Sequence, residues 1–347
     1  MPKRNRKGNK TVVMVGPLPQ GVTRRPRVRK ANKSGKKSSK SHAMGSAKMF
    51  AMQVCGLTNP FCPEAMDAKW PDNTYQKTLT WNNIGASWQI TTDAQGEAAH
   101  IITADPYNAR YDATVVGDVA TYAAATAVVA PPAALQRFRV ISCGVKISCT
   151  TPLMVTQGYA AIRLMSRVGV GPATTSCVSP NVDEFVDIPL VNLINKEAYI
   201  VLKPIGDKAR DYVIGSSAYT WANFPNGPSF QVCQISVIGG IAGSPCIKVD
   251  YYQHIEYVPV AGDATETFAQ KPPVANLPLT TAADKLTTQG GSIIQGSIKT
   301  VEKWYESGAL NNFINSMGTA YSAYTATGNP IIGVGAGLSR LTLRDRM

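Results

Sequence analysis

The sequence predicts an all-β fold, an eight-stranded jelly-roll sandwich, with a disordered basic arm before it and a helical segment after it. Three observations carry this. The chain is 44% apolar but only 16% charged, and rich in Gly and Pro, a mix that favours strands and turns over helices. Alternating apolar and polar runs recur between about 77 and 260. The excess charge sits at one end: the first acid is Glu64, preceded by fifteen Lys and Arg. With 35 basic and 22 acidic residues in all, 49–347 holds 20 against 22, a net of −2.

The arm, 1–50, carries Lys3, Arg4, Arg6, Lys7 and Lys10, then Arg24, Arg25, Arg27, Arg29 and Lys30, then Lys33, Lys36, Lys37 and Lys40. A like-charged block repels itself and buries no core. Its expected partner is a polyanion, because phosphate contacts release condensed counterions. These fourteen residues are the candidate RNA-binding set. No aromatic precedes Phe50, so contact is expected with phosphates rather than stacked bases. A coil of this length spans about 35–40 Å. A basic tail also serves as a nuclear, nucleolar or mitochondrial address, and charge alone does not separate these from RNA binding.

Residues 51–75, with Cys55, Cys62 and several Pro and Asn, read as an ordered but irregular lead-in. Strands are expected at 77–92, 98–104 and 111–129. Along 139–149, Ile141, Cys143, Val145, Ile147 and Cys149 alternate with Ser142, Gly144, Lys146 and Ser148, which assigns them to opposite faces. Further strands are expected at 158–168 and 198–205, with a short helix within 181–196. Segments 230–238 and 246–260 are expected to pair across the Gly/Pro turn at 239–245. In the latter, Ile247, Val249, Tyr251, Ile255 and Tyr257 share one face, and Lys248, Asp250, His254 and Glu256 the other. Around eight strands with long, irregular connections favour a sandwich or jelly roll over a meander. The expected boundaries are 1–50, 51–262 and 263–347.

After a Pro-containing linker, Ile294, Ile298, Val301 and Tyr305, then Leu310, Ile314 and Met317, recur at helical spacing. This amphipathic segment, followed by a Gly-rich apolar tail, suits either a membrane interface or packing against the body. Asp183, Glu184 and Asp187 form a group of oxygen donors that would suit Ca²⁺ between subunits, or a solvated face.

Seven cysteines without a C-x-x-C pair, and only three histidines, give little material for zinc and read as reduced thiols of a cytosolic product. No phosphate loop, nucleophile elbow or metalloprotease motif occurs, so neither catalysis nor a small-molecule substrate is expected. No apolar run reaches 18 residues, so no spanning helix is expected, and the N-terminus lacks the apolar core of a secretory signal. The low charge of the body suits a surface covered by copies of itself, or a β protein of low charge.

Several segments, in their order, resemble the capsid proteins of nodaviruses and related small icosahedral RNA viruses. They are the basic arm, Cys55 to Asp72 with its Asn-Pro, Cys-Pro-Glu and Trp-Pro-Asp elements, Phe138-Arg-Val-Ile-Ser-Cys-Gly-Val-Lys-Ile, Cys246 to Pro259, and Trp304 to Leu338. The resemblance implies a homo-oligomeric icosahedral shell of T=3 type, packaged single-stranded RNA, and a C-terminal peptide acting on the host membrane during entry. It places the protein in the virion, and in the host cytoplasm during assembly. It also implies self-cleavage at an Asn-Ala bond assisted by a buried Asp. Here Lys299 to Trp304 holds no Asn, Asn311 and Asn315 are poorly placed, and the matching acid is Glu64 or Asp72. Cleavage is therefore not expected. The alternative is a non-viral or accessory RNA-binding β protein acting as an RNA chaperone.

Overall fold

The structure, a computed structural model, describes residues 49, 52–74, 76–116, 119–122, 128–133, 135–166, 174–176, 183–214, 229–289 and 293–296. All belong to the unit Ala43–Met347. The fourteen arm residues lie outside the described set, as do Ile298, Val301, Tyr305, Leu310, Ile314 and Met317.

A helix at 52–58 (α1) is followed by β1 (Leu79–Thr91), β2 (Ala98–Ile102), β3 (Arg110–Val116), β4 (Val119–Tyr122), β5 (Leu135–Cys149) and β6 (Tyr159–Met165). Then come β7 (Thr174–Ser176), β8 (Glu184–Pro189), β9 (Glu197–Leu202), β10 (Val213–Ile214), β11 (Val232–Ile238) and β12 (Pro245–Pro259). A second helix, α2 (Leu277–Gln289), and β13 (Ile293–Gly296) close the described chain.

One sheet has the order β1-β12-β5-β9-β13, with β10 also on β5, and the other β7-β4-β3-β2-β11-β6-β8. Counting only β1, β2, β5, β6, β8, β9, β11 and β12, first pairs with last, second with seventh, third with sixth and fourth with fifth. That nested pairing, folded over into two sheets, is a jelly roll. β3, β4 and β7 extend the second sheet beyond β2.

Most expected strands stand where the alternation put them, and four details differ. Segment 111–129 is not one strand, because β3 reverses to pair with β4. Segment 181–196 does hold a short helix, but only the 3₁₀ turn Leu190–Leu193, and most of the segment is the strand β8. Its period is two: Ile188 is buried and Val186 packs on the core, while Phe185 is 70% exposed. β11 and β12 do not pair; they lie in opposite sheets, and the Gly/Pro turn carries the chain across the sandwich. Ile141 does not share a face with Cys143. The register between β12 and β5 runs His254↔Ser142, then Ile255↔Val140, so Ile141 is the extra residue of a bulge. Val140 and Phe138 therefore join Cys143, Val145 and Ile147 in the inter-sheet core, and Ile141 faces outward.

Between the sheets lie Ile247, Val249, Tyr251, Ile255 and Tyr257 of β12, as expected, with Ile162, Leu164, Ile200, Leu202, Cys233 and Ile235. A second core covers the outer face of the first sheet. Val54 and Leu57 of α1, Phe61 and Trp70 pack there on Ile141, Tyr199 and Val201, with Leu279, Ala282 and Ala283 of α2. Gly144 makes this docking possible: a Cβ there would lie 2.8 Å from Pro60 Cγ and 2.5 Å from the Ile200 carbonyl oxygen. Phe61 instead meets Tyr199 and Tyr252 edge-on, with centroids 5.0 Å apart in both pairs.

The described residues beyond 262, 263–289 and 293–296, thus stay on the body. Leu279, Ala282, Ala283, Leu286 and Thr287 form the inward stripe of α2, and Asn276 Oδ1 caps its start by accepting from the Leu279 amide, 3.2 Å. Ile294, expected on the amphipathic helix, stands instead in β13, opposite Tyr199 of β9. The β-branched pair Ile293-Ile294 finds an open strand edge there.

Candidate functional site

The covered face of the first sheet joins the lead-in from the arm to the body, and charge fixes the joint. Arg139 of β5 and Glu256 of β12 stand directly opposite each other, 3% and 0% exposed. Arg139 Nε donates to Glu256 Oε2 at 2.9 Å, and Nη2 to the Trp70 carbonyl at 2.9 Å. Its Nη1 reaches Asp72 Oδ2 at 2.5 Å. Glu256 also accepts from the Trp70 amide, 3.1 Å, and the Thr78 hydroxyl, 2.5 Å. Lys69 Nζ donates to the Thr78 and Gln270 carbonyls at 2.7 and 2.9 Å. The Tyr212 ring lies 4.5 Å from the Arg139 guanidinium, and the Trp70 ring 4.3 Å from that of Arg210.

Burial pushes the Asp72 carboxyl up, but the Thr74 amide and Arg139 outweigh it and hold the group below the usual carboxylate range. Each charge in this clamp has a partner, as burial requires. The clamp ties Trp70 and Asp72 of the lead-in to β5 and β12. A second anchor is His254, with Nδ1 2.7 Å from Asn82 Oδ1 and Nε2 2.9 Å from the Pro60 carbonyl. Burial pulls its pKa below the ordinary histidine value, against the Pro60 contact, which raises it. His100 pairs with Asp112 at 2.7 Å on the second sheet.

The three acids singled out from the sequence lie on β8 or at its start rather than on a loop. Asp183 accepts from Ser166 and from Gln231 Nε2. Glu184 pairs with Lys203, and Asp187 with Arg163 at 2.6 Å. Residues three apart on a strand point to opposite faces, so Glu184 and Asp187 do not converge. Among the described residues no group of three or more His, Cys, Asp or Glu is placed to hold a metal ion. Of the acids matched by the resemblance, Glu64 Oε2 accepts from Cys62 Sγ at 2.7 Å, and Asp72 belongs to the clamp.

At one end of the sandwich four connections meet. Gly240 N donates to the Gly96 carbonyl, Gln157 Nε2 to the Gly240 carbonyl, and Leu190 N to the Gly158 carbonyl. Gly158 has φ +82°, and a Cβ there would sit 2.5 Å from the Gly239 carbonyl oxygen, so only glycine lets the turns close. The β5–β6 connection at this end exposes Leu153 (57%), Met154 (93%) and Val155 (52%) in succession. Three consecutive apolar side chains thus stand exposed at this end of the sandwich.

Sequence reasoning missed the clamp and this apolar tip. Arg139 and Glu256 are 117 residues apart, and only the strand register brings them together. Leu153 to Val155 carried a legible signal, an apolar triplet between two strands.

No family model matches the chain, and no curated protein matches it. Solved structures do. The T13 IBDV viral particle contains a chain similar in fold, with TM-score 0.57 and 8% identity, over 79% of this chain and all of that one. The infectious bursal disease virus VP2 subviral particle matches with TM-score 0.51 and 7% identity, over 73% of this chain and 97% of that one. T=1 particles derived from the same virus give 0.51 and 8%, over 73% and 94%. The chain shares the fold of these particle proteins. At such identity the likeness is one of fold, and it agrees with the nested strand pairing described above.

Proposed function

We propose that this protein is a viral capsid subunit that assembles with copies of itself into an icosahedral shell and packages single-stranded RNA through residues 1–48. The observation that carries this reading is the joining of an arm of net charge +15 to a jelly roll of the kind found in virus particles. A clamp built from Asp72, Arg139 and Glu256 anchors the joint.

In this reading the arm neutralises phosphates without selecting sequence, and packaging depends steeply on salt. The body, near neutrality, approaches copies of itself without strong repulsion. The tip at Leu153, Met154 and Val155 is the proposed contact with neighbouring copies, because association buries apolar surface in proportion to its area. Resemblance to nodavirus capsids supports a T=3 shell, formed in the host cytoplasm and released as the virion. It also supports a membrane-active role at entry for the apolar positions 298–317. Ile294 belongs to the body in this account, and the active segment starts beyond β13.

Expression of the full chain, followed by sedimentation and electron microscopy, tests the proposal. Nuclease-resistant RNA in closed shells is the expected result. A small soluble oligomer that binds RNA without forming shells would overturn it in favour of the chaperone alternative.

A further inference from the structure

Where the lead-in meets the chain after β12, cations and an exposed ring stand together. Thr78 and Gln270 form an antiparallel bridge, exchanging amide hydrogen bonds of 2.9 and 3.0 Å. Lys69 Nζ sits over this bridge and donates to both of its carbonyls, at 2.7 and 2.9 Å. Lys77 and Lys271 are the next residues outward on the two chains, both exposed. Opposed positions in such a pair lie close together, and like charges there repel. Burial pulls the Lys69 pKa below the ordinary lysine value; Glu256 opposes this and Arg139 adds to it. Phe268 ends the 3₁₀ turn Ala264–Phe268, two residues before the bridge. Ala269 is buried, and its amide donates to the Glu266 carbonyl at 3.1 Å, while Phe268 stands outward, 75% exposed. The neighbouring acids serve the turn itself: Asp263 Oδ1 accepts from the Thr265 amide at 2.7 Å, and Glu266 Oε2 from the Gly262 amide at 2.9 Å.

We propose that Lys69, Lys77, Lys271 and Phe268 form a second RNA contact, on the body, in which the ammonium groups take phosphates of a single strand and the Phe268 ring stacks on one of its bases. The proposal rests on the reading that the arm binds RNA. Lys69 lies in the lead-in that follows the arm, so RNA held by the arm is tethered to the chain that bears this surface and meets it at a high effective concentration. The arm has no aromatic before Phe50 and neutralises phosphate alone; the body adds the ring. Stacking on an aromatic side chain accepts any base, so the contact adds affinity without selecting sequence. The three cations that repel one another in the free protein gain a shared counter-charge in the phosphates.

The test uses the full-length protein and an oligouridylate containing thiouridine, with binding followed by fluorescence anisotropy over a range of salt. Lys77→Gln with Lys271→Gln is expected to reduce the slope of log K against log salt by about 1.4, at about 0.7 per phosphate contact on a single strand. Phe268→Ala is expected to weaken binding about 10-fold and to keep the slope. Both variants change exposed positions, so the unfolding midpoint should stay where it is. Photocross-linking and mass spectrometry are expected to place a uridine adduct on Phe268. Wild-type affinity and slope in both variants, with no adduct on Phe268, would overturn the contact. Unchanged RNA binding together with lost binding to phosphatidylserine vesicles would overturn it in favour of a lipid surface. Replacing Arg24, Arg25, Arg27, Arg29 and Lys30 by Gln separates the two readings. If that change leaves the salt slope untouched while the Phe268 adduct persists, the arm reading fails and the body contact stands.

Discussion

Two neighbouring stretches of this chain put charge to opposite uses. Residues 1–48 hold fifteen cations and no anion. Within 69–72, a short way further on, Lys69 and Asp72 are tied into a clamp whose other members, Arg139 and Glu256, are almost wholly buried. Charge without an opposite partner in its own segment yields attraction to any polyanion and no defined geometry. Charge that is paired and desolvated contributes little net stability, yet removing one partner is costly. The comparison teaches that the two kinds of charge answer to different conditions: an unpaired like-charged block is sensitive to salt, a buried pair to packing.

Breaking the clamp should have the largest effect on the body. Glu256→Ala leaves Arg139 buried without its main partner and the Trp70 amide without its acceptor, and is expected to cost about 3–5 kcal/mol in denaturant unfolding. Replacing Arg139 and Glu256 together by apolar residues should cost less than the single change, and a double-mutant cycle measures the difference. Next comes Gly144→Ala, which pushes a methyl group against Pro60 and the Ile200 carbonyl and should cost about 1–3 kcal/mol. If the lead-in only rests on the sheet, Gly144→Ala will be silent. Met154→Asp with Leu153→Asp changes two exposed positions, so subunit stability should move by less than about 0.5 kcal/mol. Sedimentation should nevertheless show shells replaced by free subunits.

The smallest effect is a dependence on pH. His254 has a folded pKa below its unfolded value of 6.5, so the unfolded chain binds more protons between the two. Its contribution is complete above pH 6.5 and declines as pH falls through the folded pKa. His254→Gln should flatten the stability profile in that window, and thermal unfolding from pH 7.5 to 5 checks it.

What the sequence revealed, and what it hid, divides along the same line of local against distant information. Alternation located β1, β2, β5, β6, β9, β11 and β12, because a half-buried strand writes its period into consecutive residues. The inward set of β12 was legible for the same reason. The bulge at Ile141 was not, since an extra residue in one strand is defined only by its partner's register. The passage of the chain between sheets after β11 likewise depends on all the other pairings. α2 was hidden by Pro278, which reads as a breaker, although in the first helical turn proline loses no intrahelical hydrogen bond. The arm needed no partner strand to be read, while the clamp joins residues that only the completed fold brings together.

The most direct test of the central claim is deletion of residues 1–48, with shell formation, subunit stability and nuclease-protected RNA per shell measured on the same preparation. The account predicts an unchanged unfolding midpoint for the body, since the clamp, the sandwich core and α2 are all retained, and a loss of most of the packaged RNA. Shells that protect as much RNA without the arm as with it would contradict the account.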